Sequence, residues 1–243
     1  MHRQRADEET VSGVNDLVLV QGMKDTRVTL RRWNERPVHV LGPWFALSLV
    51  VAIGLLGAVW LVAVLTEADA TLLEINGLTR DVDSGDYARV LYRNSLVLAL
   101  HAMACVAGFM AGSSIPLSAA NRSGVDRWVH EKAGRFAIAF VVCATTFSLI
   151  SQAYIIGGTA ATYAGQLDIS PALLIVGLLP HALPELVALF LPLAAWLIAS
   201  RNNRWEELLA ATVVTVAIAV PLLLLAVVIE LHISPMLLEA LAR

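Results

Sequence analysis

Charge is scarce in this chain. Of 243 residues, 15% are Asp, Glu, Lys or Arg and 58% are hydrophobic, whereas a soluble domain carries about 25% charged and 45–50% apolar residues. That balance excludes an ordinary soluble protein. A net charge of −3 gives no basic footprint, and without a basic face or an aromatic-basic array a nucleic-acid partner is excluded. Cysteine is nearly absent. Cys105 and Cys143 both lie inside apolar runs and read as small buried hydrophobes, silent on redox compartment. There is no HExxH, no Ser/His/Asp order and no Gly-rich phosphate loop. No polar stretch is long enough for separate catalysis: the longest is the arm 1–42, near the limit of about 40 residues below which domains rarely fold alone. Internal repeats, low-complexity segments and lipidation motifs are missing too. The first 40 residues are polar, so no cleavable signal peptide is expected.

What is there is long apolar sequence. Five runs reach the roughly 20 residues that a membrane crossing needs: 44–66, 91–117, 136–160, 172–199 and 208–232. Polar breaks separate them at Glu67–Tyr87, Ala119–Arg135, Thr162–Ser170 and Arg201–Glu207. A barrel would show runs of about ten residues in strict alternation. The expected fold is therefore all-α and polytopic, with an arm over 1–42, a five-span membrane domain over 43–236 and a short tail over 237–243. The cations orient it. Arg3, Arg5, Lys24, Arg27, Arg31, Arg32 and Arg36 in the arm, Arg122, Arg127, Lys132 and Arg135 in the second break, and Arg201 and Arg204 in the fourth make 13 of the 17 Lys and Arg. Only Arg80, Arg89, Arg93 and Arg243 fall on the other side. The positive-inside rule then puts the N-terminus in the cytoplasm and the C-terminus outside, across a bacterial inner membrane.

Two polar segments carry their own expectations. Between Val14 and Trp33 the arm mixes Leu17, Val20, Met23, Leu30 and Trp33 with Lys24, Arg27, Arg31 and Arg32. This suits a helix on the inner leaflet, its cations near anionic lipid; plain cytoplasmic structure is the alternative. On the outer side, Glu67–Tyr87 is acidic, with Glu67, Asp69, Glu74, Asp81, Asp83 and Asp86. It reads either as a solvated loop or as a docking surface for an extracytoplasmic partner.

Chemistry concentrates where polar residues interrupt the apolar runs. Pro171–Ser200 contains His181 and Glu185 and no other ionisable side chain. A charged residue at the centre of a membrane helix costs about 2.5–3.5 kcal/mol on insertion scales, so both need partners or a polar cavity. Four residues apart, they share one helical face and are expected to pair. Pro184 removes the amide that would bond the Pro180 carbonyl, so a kink over Pro180 and Pro184 is expected; with Pro192, two short pieces are an alternative to one helix. A rise of about 1.5 Å per residue gives depths. Asn94 comes out shallow and His101 near mid-bilayer. Ser148, Ser151 and Gln152 fall in the outer half, His181 about 15 Å down with Glu185 a turn deeper, and Glu230 and His232 near the outer edge. Asn94, Gln152, His181, Glu185 and Glu230 are thus expected to form one intramembrane polar centre. It either pins helices together or lines a working cavity. A metal site is a third reading, since His101 and Cys105 are also four apart and with His181 and Glu185 would make four ligands. HxxxE, however, lacks the third ligand and base of a zinc peptidase. No cofactor is expected. Gly108 and Gly112 form GxxxG, a helix-contact face.

These residues resemble one family. Leu179–Ala188, LPHALPELVA, resembles the Pro-His-Gly-x-x-Glu-Leu-Pro-Ala signature of the stage II sporulation protein M family. Val228–Pro235, VIELHISP, is similar to that family's final span, and Tyr92-Arg93-Asn94 followed by an apolar run and Gly112 to its second. The resemblance covers residues 40–236. Ala182 stands where the family has Gly, Pro184 where it has an aromatic or aliphatic residue, and Val187 where it often has Pro. The resemblance implies a polytopic scaffold that holds cell-wall hydrolases during envelope remodelling without being a hydrolase itself. Similar proteins in circular-bacteriocin gene clusters imply maturation, export or immunity roles. The expectation is a non-catalytic scaffold whose partners are membrane lipids and proteins, with Glu67–Tyr87 as the protein-binding segment and homo-oligomers left open. A permease-like transporter subunit is the runner-up, on the strength of the intramembrane carboxylates, and an intramembrane metalloenzyme is third.

Overall fold

A computed structural model of the chain describes residues 18–110, 112 and 133–243. Of the cations that set the orientation, Arg3, Arg5, Arg122, Arg127 and Lys132 lie outside the described residues. In chain order the elements are α1 (Val18–Glu35), α2 (Pro37–Leu65), α3 (Ser84–Phe109), α4 (Ala133–Gln166) and α5 (Pro171–Arg201). A 3-10 turn (Trp205–Glu207), α6 (Leu208–Val228), a π-helical turn (Ile229–Ile233) and α7 (Ser234–Leu241) complete them. Among the described residues there is no strand, and one isolated bridge joins Asn76 to Arg80. Five helical stretches are long and apolar enough to cross a membrane: Pro37–Leu65, Ser84–Phe109, Ile138–Gln166, Pro171–Arg201 and Trp205–Leu241. The chain is a multi-pass helical protein.

Several helices outrun the apolar sequence, for local reasons. α2 opens on Pro37, whose fixed φ suits the first helical position. α3 starts at Ser84, ahead of its apolar run. Asp83 accepts from the amides of Gly85 (2.6 Å) and Asp86 (3.1 Å), while Asp86 accepts from the Asp83 amide (3.0 Å), closing a capping box. α4 continues through Thr162 to Gln166, and the hydroxyls of Thr159 and Thr162 are satisfied within it by donating to the carbonyls of Ile155 and Gly158 one turn back. α5 passes through Pro180, Pro184 and Pro192 as a single helix, so the two-piece alternative is not adopted.

α5 is the centre of the bundle, packed on α2, α3 and α6. Its membrane stretch is 56% buried, against 6% for that of α4, so α4 lies on the rim. α4 leans on α2 at Gly157, where a Cβ would stand 2.5 Å from Val62 Cβ. Alanines carry much of the close packing: Ala188, Ala195, Ala210, Ala211, Ala219 and Ala226 are all buried. Small side chains let backbones approach, which matters where lipid is as apolar as the helices. The GxxxG pair of Gly108 and Gly112 is a packing face within the chain. A Cβ on Gly108 would meet Trp196 Nε1 at 2.3 Å, and one on Gly112 would meet the Trp205 ring at 2.0 Å. Two tryptophans of the same chain fill that groove.

The two ends of the bundle are both structured. At the arm end, α1 docks on the α5–α6 turn. Trp33 and Trp44 meet edge to face at 5.2 Å, and Arg32 and Arg204 both pair with Glu207, which is 4% exposed. Met23 and Val28 of α1 stay exposed. At the other end, residues 66–83 form a clamped loop. Gln166 holds Leu73 by both backbone groups: Leu73 N donates to Gln166 Oε1 (2.9 Å) and Gln166 Nε2 donates to Leu73 O (3.0 Å). Tyr163 Oη donates to Glu74 O, and the Asp69 amide to Thr162 Oγ1. Hydrogen bonds from Thr71 hold the Asp69 carboxyl below its ordinary range. Gln166→Ala should therefore free this loop without melting the bundle: hydrogen exchange at Leu73 and Ile75 is expected to quicken at least tenfold while the amides of α5 keep their protection.

Candidate functional site

The polar site forms at the loop end, around the π-helical turn Ile229–Ile233. Pro235 has no amide to give the Leu231 carbonyl. The chain absorbs this by widening one turn: the Ser234 amide donates five residues back, to Ile229 O. Such turns recur where a helix re-aims side chains at functional positions. Here the widened turn presents Glu230, His232 and then Ser234 to three different neighbours.

Each neighbour is a specific residue. Tyr87 Oη at the start of α3 and His232 Nε2 share a hydrogen bond. His181 Nδ1 on α5 and Ser234 Oγ share another at 2.6 Å. Glu230 lies within charge range of Glu185 on α5 and of Arg93 on α3. The Asn94 side chain, 8% exposed, stands against the Glu185 carboxyl, and its Nδ2 closes no hydrogen bond among the described residues. Leu231 O and Pro235 lie under Gly77 of the loop, where a Cβ would approach that carbonyl to 2.9 Å.

The loop that covers this centre is organised by Arg80. Its guanidinium bonds Asp86 Oδ1 (2.5 Å), Asp83 Oδ2 (3.3 Å) and Asn76 Oδ1 (2.9 Å), and faces Glu74 at 3.6 Å. The hydrogen bond to Asp86 raises the Arg80 pKa above its already high value, so this cation keeps its charge. Asp86, with its side chain fully buried, also receives Arg89 at 3.4 Å. Glu67, Asp69, Glu74, Asp81 and Asp83 remain exposed, as does Leu72 at 83%. The loop is thus a held plate with an acidic rim.

The structure brings Asn94, Glu185 and Glu230 together and places His181 beside them. No hydrogen bond or ion pair joins His181 to Glu185; the histidine takes Ser234 as its partner. Gln152 stands apart. It donates to Ser148 Oγ on its own helix (3.0 Å) and lines a cavity between α3 and α4 in company with His101. The four metal-ligand candidates do not converge either. His101 Nδ1 donates to Leu189 O (2.7 Å) and Cys105 Sγ to Pro192 O (3.2 Å), while His181 and Glu185 have the partners given above. Among the described residues no three His, Cys, Asp or Glu side chains group as metal ligands.

Tyr87, Ser234, Gly77 and the Arg80–Asp86 pair were not singled out from the sequence as site residues. The Ser234-Pro235 step after a glutamate and a histidine was the one local signal available for them, since a proline there must disturb the preceding turn. No protein-family model, curated protein or solved structure matches this chain.

Proposed function

We propose that the chain is a non-catalytic membrane scaffold of the stage II sporulation protein M type. Its N-terminus lies in the cytoplasm, and its loop 66–83 faces outward from a bacterial inner membrane to hold a protein partner. The observation that carries this reading is the use made of the polar groups at the loop end. Tyr87 on α3 is hydrogen-bonded to His232 of the π-helical turn and His181 on α5 to Ser234 just after it, which fits structural support better than a reaction centre. What remains outward is the acidic rim and Leu72, a surface suited to a partner with basic and apolar groups. The LPHALPELVA and VIELHISP segments support the family reading, and their residues lie in this same region.

The test is site-specific photocrosslinking in the native membrane. A photoreactive residue at Leu72 should give a discrete protein adduct, whereas one at Phe147, exposed on the rim helix, should give lipid adducts. Glu67→Lys with Asp81→Lys should abolish the Leu72 adduct with membrane abundance unchanged. Absence of any protein adduct from the loop would overturn the scaffold reading.

One observation favours the permease-like alternative: the coupled carboxyls Glu185 and Glu230 inside the bundle, a grouping that marks proton and ion routes in transporters. Flux into proteoliposomes that Glu185→Gln abolishes would establish that reading, with peptide or bacteriocin export among its forms.

A further inference from the structure

α1 uses its two faces differently. Leu30 and Trp33 turn inward, into the cluster made with Trp44, Ala195, Ala210 and Ala211. The opposite face is open. Lys24, Arg27 and Arg31 recur at spacings of three and four, so they stand on one side of the helix, and all three are exposed. None of them forms an ion pair among the described residues, whereas their neighbour Arg32 is taken up by Glu207. Met23 and Val28, 65% and 68% exposed, flank this arc as isolated apolar residues. Of the two acids of α1, Asp25 is half-buried and off the arc, and Glu35 is the last residue of the helix.

The bundle fixes the level of this arc. The chain bends at Arg36 (φ −143, ψ 63) between α1 and α2, and α1 returns onto the 3-10 turn and the first part of α6. Trp33, Trp44 and Trp205 all stand at this end of the spans, and tryptophans concentrate at the boundary between membrane and water. α1 therefore lies at a headgroup layer roughly 5–8 Å thick, a distance that the stems of Lys and Arg can cross. A free amphipathic helix would sink its apolar face between acyl chains. Here the protein has already taken that face. What α1 offers to lipid is charge, spread over about 10 Å of helix from Lys24 to Arg31.

We infer that Lys24, Arg27 and Arg31 form an electrostatic seat for anionic phospholipid headgroups, on a helix that the bundle holds ready before any lipid binds. Cations beside a membrane attract anionic lipid within a Debye length, and the docking of Trp33 with the Arg32–Glu207 pair keeps these three from turning away. The full chain is placed in nanodiscs of phosphatidylcholine and phosphatidylglycerol, one lipid or the other carrying a headgroup diazirine, and the labelled residues are mapped. The phosphatidylglycerol probe is expected to label 23–31 at least fivefold more than the phosphatidylcholine probe. Raising salt from about 0.1 M to about 1 M shortens the Debye length from about 10 Å to about 3 Å and should cut that labelling at least threefold. Lys24→Gln with Arg27→Gln and Arg31→Gln should bring it to the phosphatidylcholine level with membrane abundance unchanged. Should that variant accumulate poorly, Arg27→Gln alone should still lower it at least twofold. Met23→Gln with Val28→Gln should change it less than twofold. Hydrogen exchange in α1 should be equally slow with and without phosphatidylglycerol. Equal labelling by the two probes, labelling that salt leaves intact, or labelling lost with Met23 and Val28 but kept without the cations would overturn the electrostatic seat. Protection of α1 that appears only with phosphatidylglycerol would mean a helix formed on lipid and would overturn the preformed one.

Discussion

Gly108→Val is expected to prevent accumulation of the folded protein. The Cβ would enter at 2.3 Å from Trp196 Nε1 and 2.8 Å from Trp196 Cδ1, with Leu208 Cδ1 at 3.0 Å. Trp196 is 1% exposed and packed against Cys105, Phe109, Ala199 and Leu208, so making room means displacing the whole rigid indole from these neighbours. Overpacking a filled core costs about 1–3 kcal/mol and occasionally more; a β-branched residue against a rigid indole belongs at the top of that range. Membrane abundance and detergent-resistant folding of the variant, measured against Gly54→Val, provide the check. Gly54 has open space around its Cβ position, so that control should accumulate normally. Equal behaviour of the two variants would refute the packing described for α3 and α5.

Gly77→Val should undock the loop from the π-helical turn while leaving the helices in place. Gly77 has φ +77, a left-handed conformation that costs an L-residue roughly 1–2 kcal/mol and a β-branched one more. Its Cβ would also meet Leu231 O at 2.9 Å and Pro235 Cγ at 2.9 Å. Adding the left-handed penalty to the overpacking gives about 2–5 kcal/mol against the docked loop. The expected readout is protease cleavage within 70–80, absent in the unaltered protein, with α5 and α6 still protected. An uncleaved loop would contradict the contact between Gly77 and the last span.

The crossing helices were legible in the sequence because run length alone separates them from soluble helices. Their ends were not. The start of α3 depends on a capping box made by Asp83 and Asp86, two carboxylates that sequence alone assigns to an acidic loop. α4 runs on to Gln166 and stops where Asp168 turns left-handed (φ 54), beyond the polar break at which the sequence ends the span. Depth estimates put Asn94 and Glu230 near the outer edge and Glu185 a turn below His181, yet Asn94 and Glu230 are the groups the structure sets near Glu185. Gln152 shows the limit of that reasoning, since depth fixes a level and not a direction, and α4 on the rim turns it toward α3. The partner of His181 was out of reach for another reason. Spacing of four pointed to Glu185, but Ser234 arrives from 53 residues away, through a widened turn visible only once Pro235 is seen packed beneath the loop. The GxxxG face gave its packing role from sequence but not its occupants, because tryptophans far along the chain fill it.

The central claim is that Glu185 on α5 and Glu230 on the last span act as one unit inside the bundle. A double-mutant cycle with Glu185→Gln and Glu230→Gln, read as unfolding free energy of the full chain in bicelles, measures that directly. Coupled carboxyls predict non-additivity of about 0.5–1.5 kcal/mol, since either amide alone removes the mutual repulsion. Effects that add within about 0.3 kcal/mol would mean that the two carboxyls do not sense each other, which would contradict the grouping of Glu185 with Glu230.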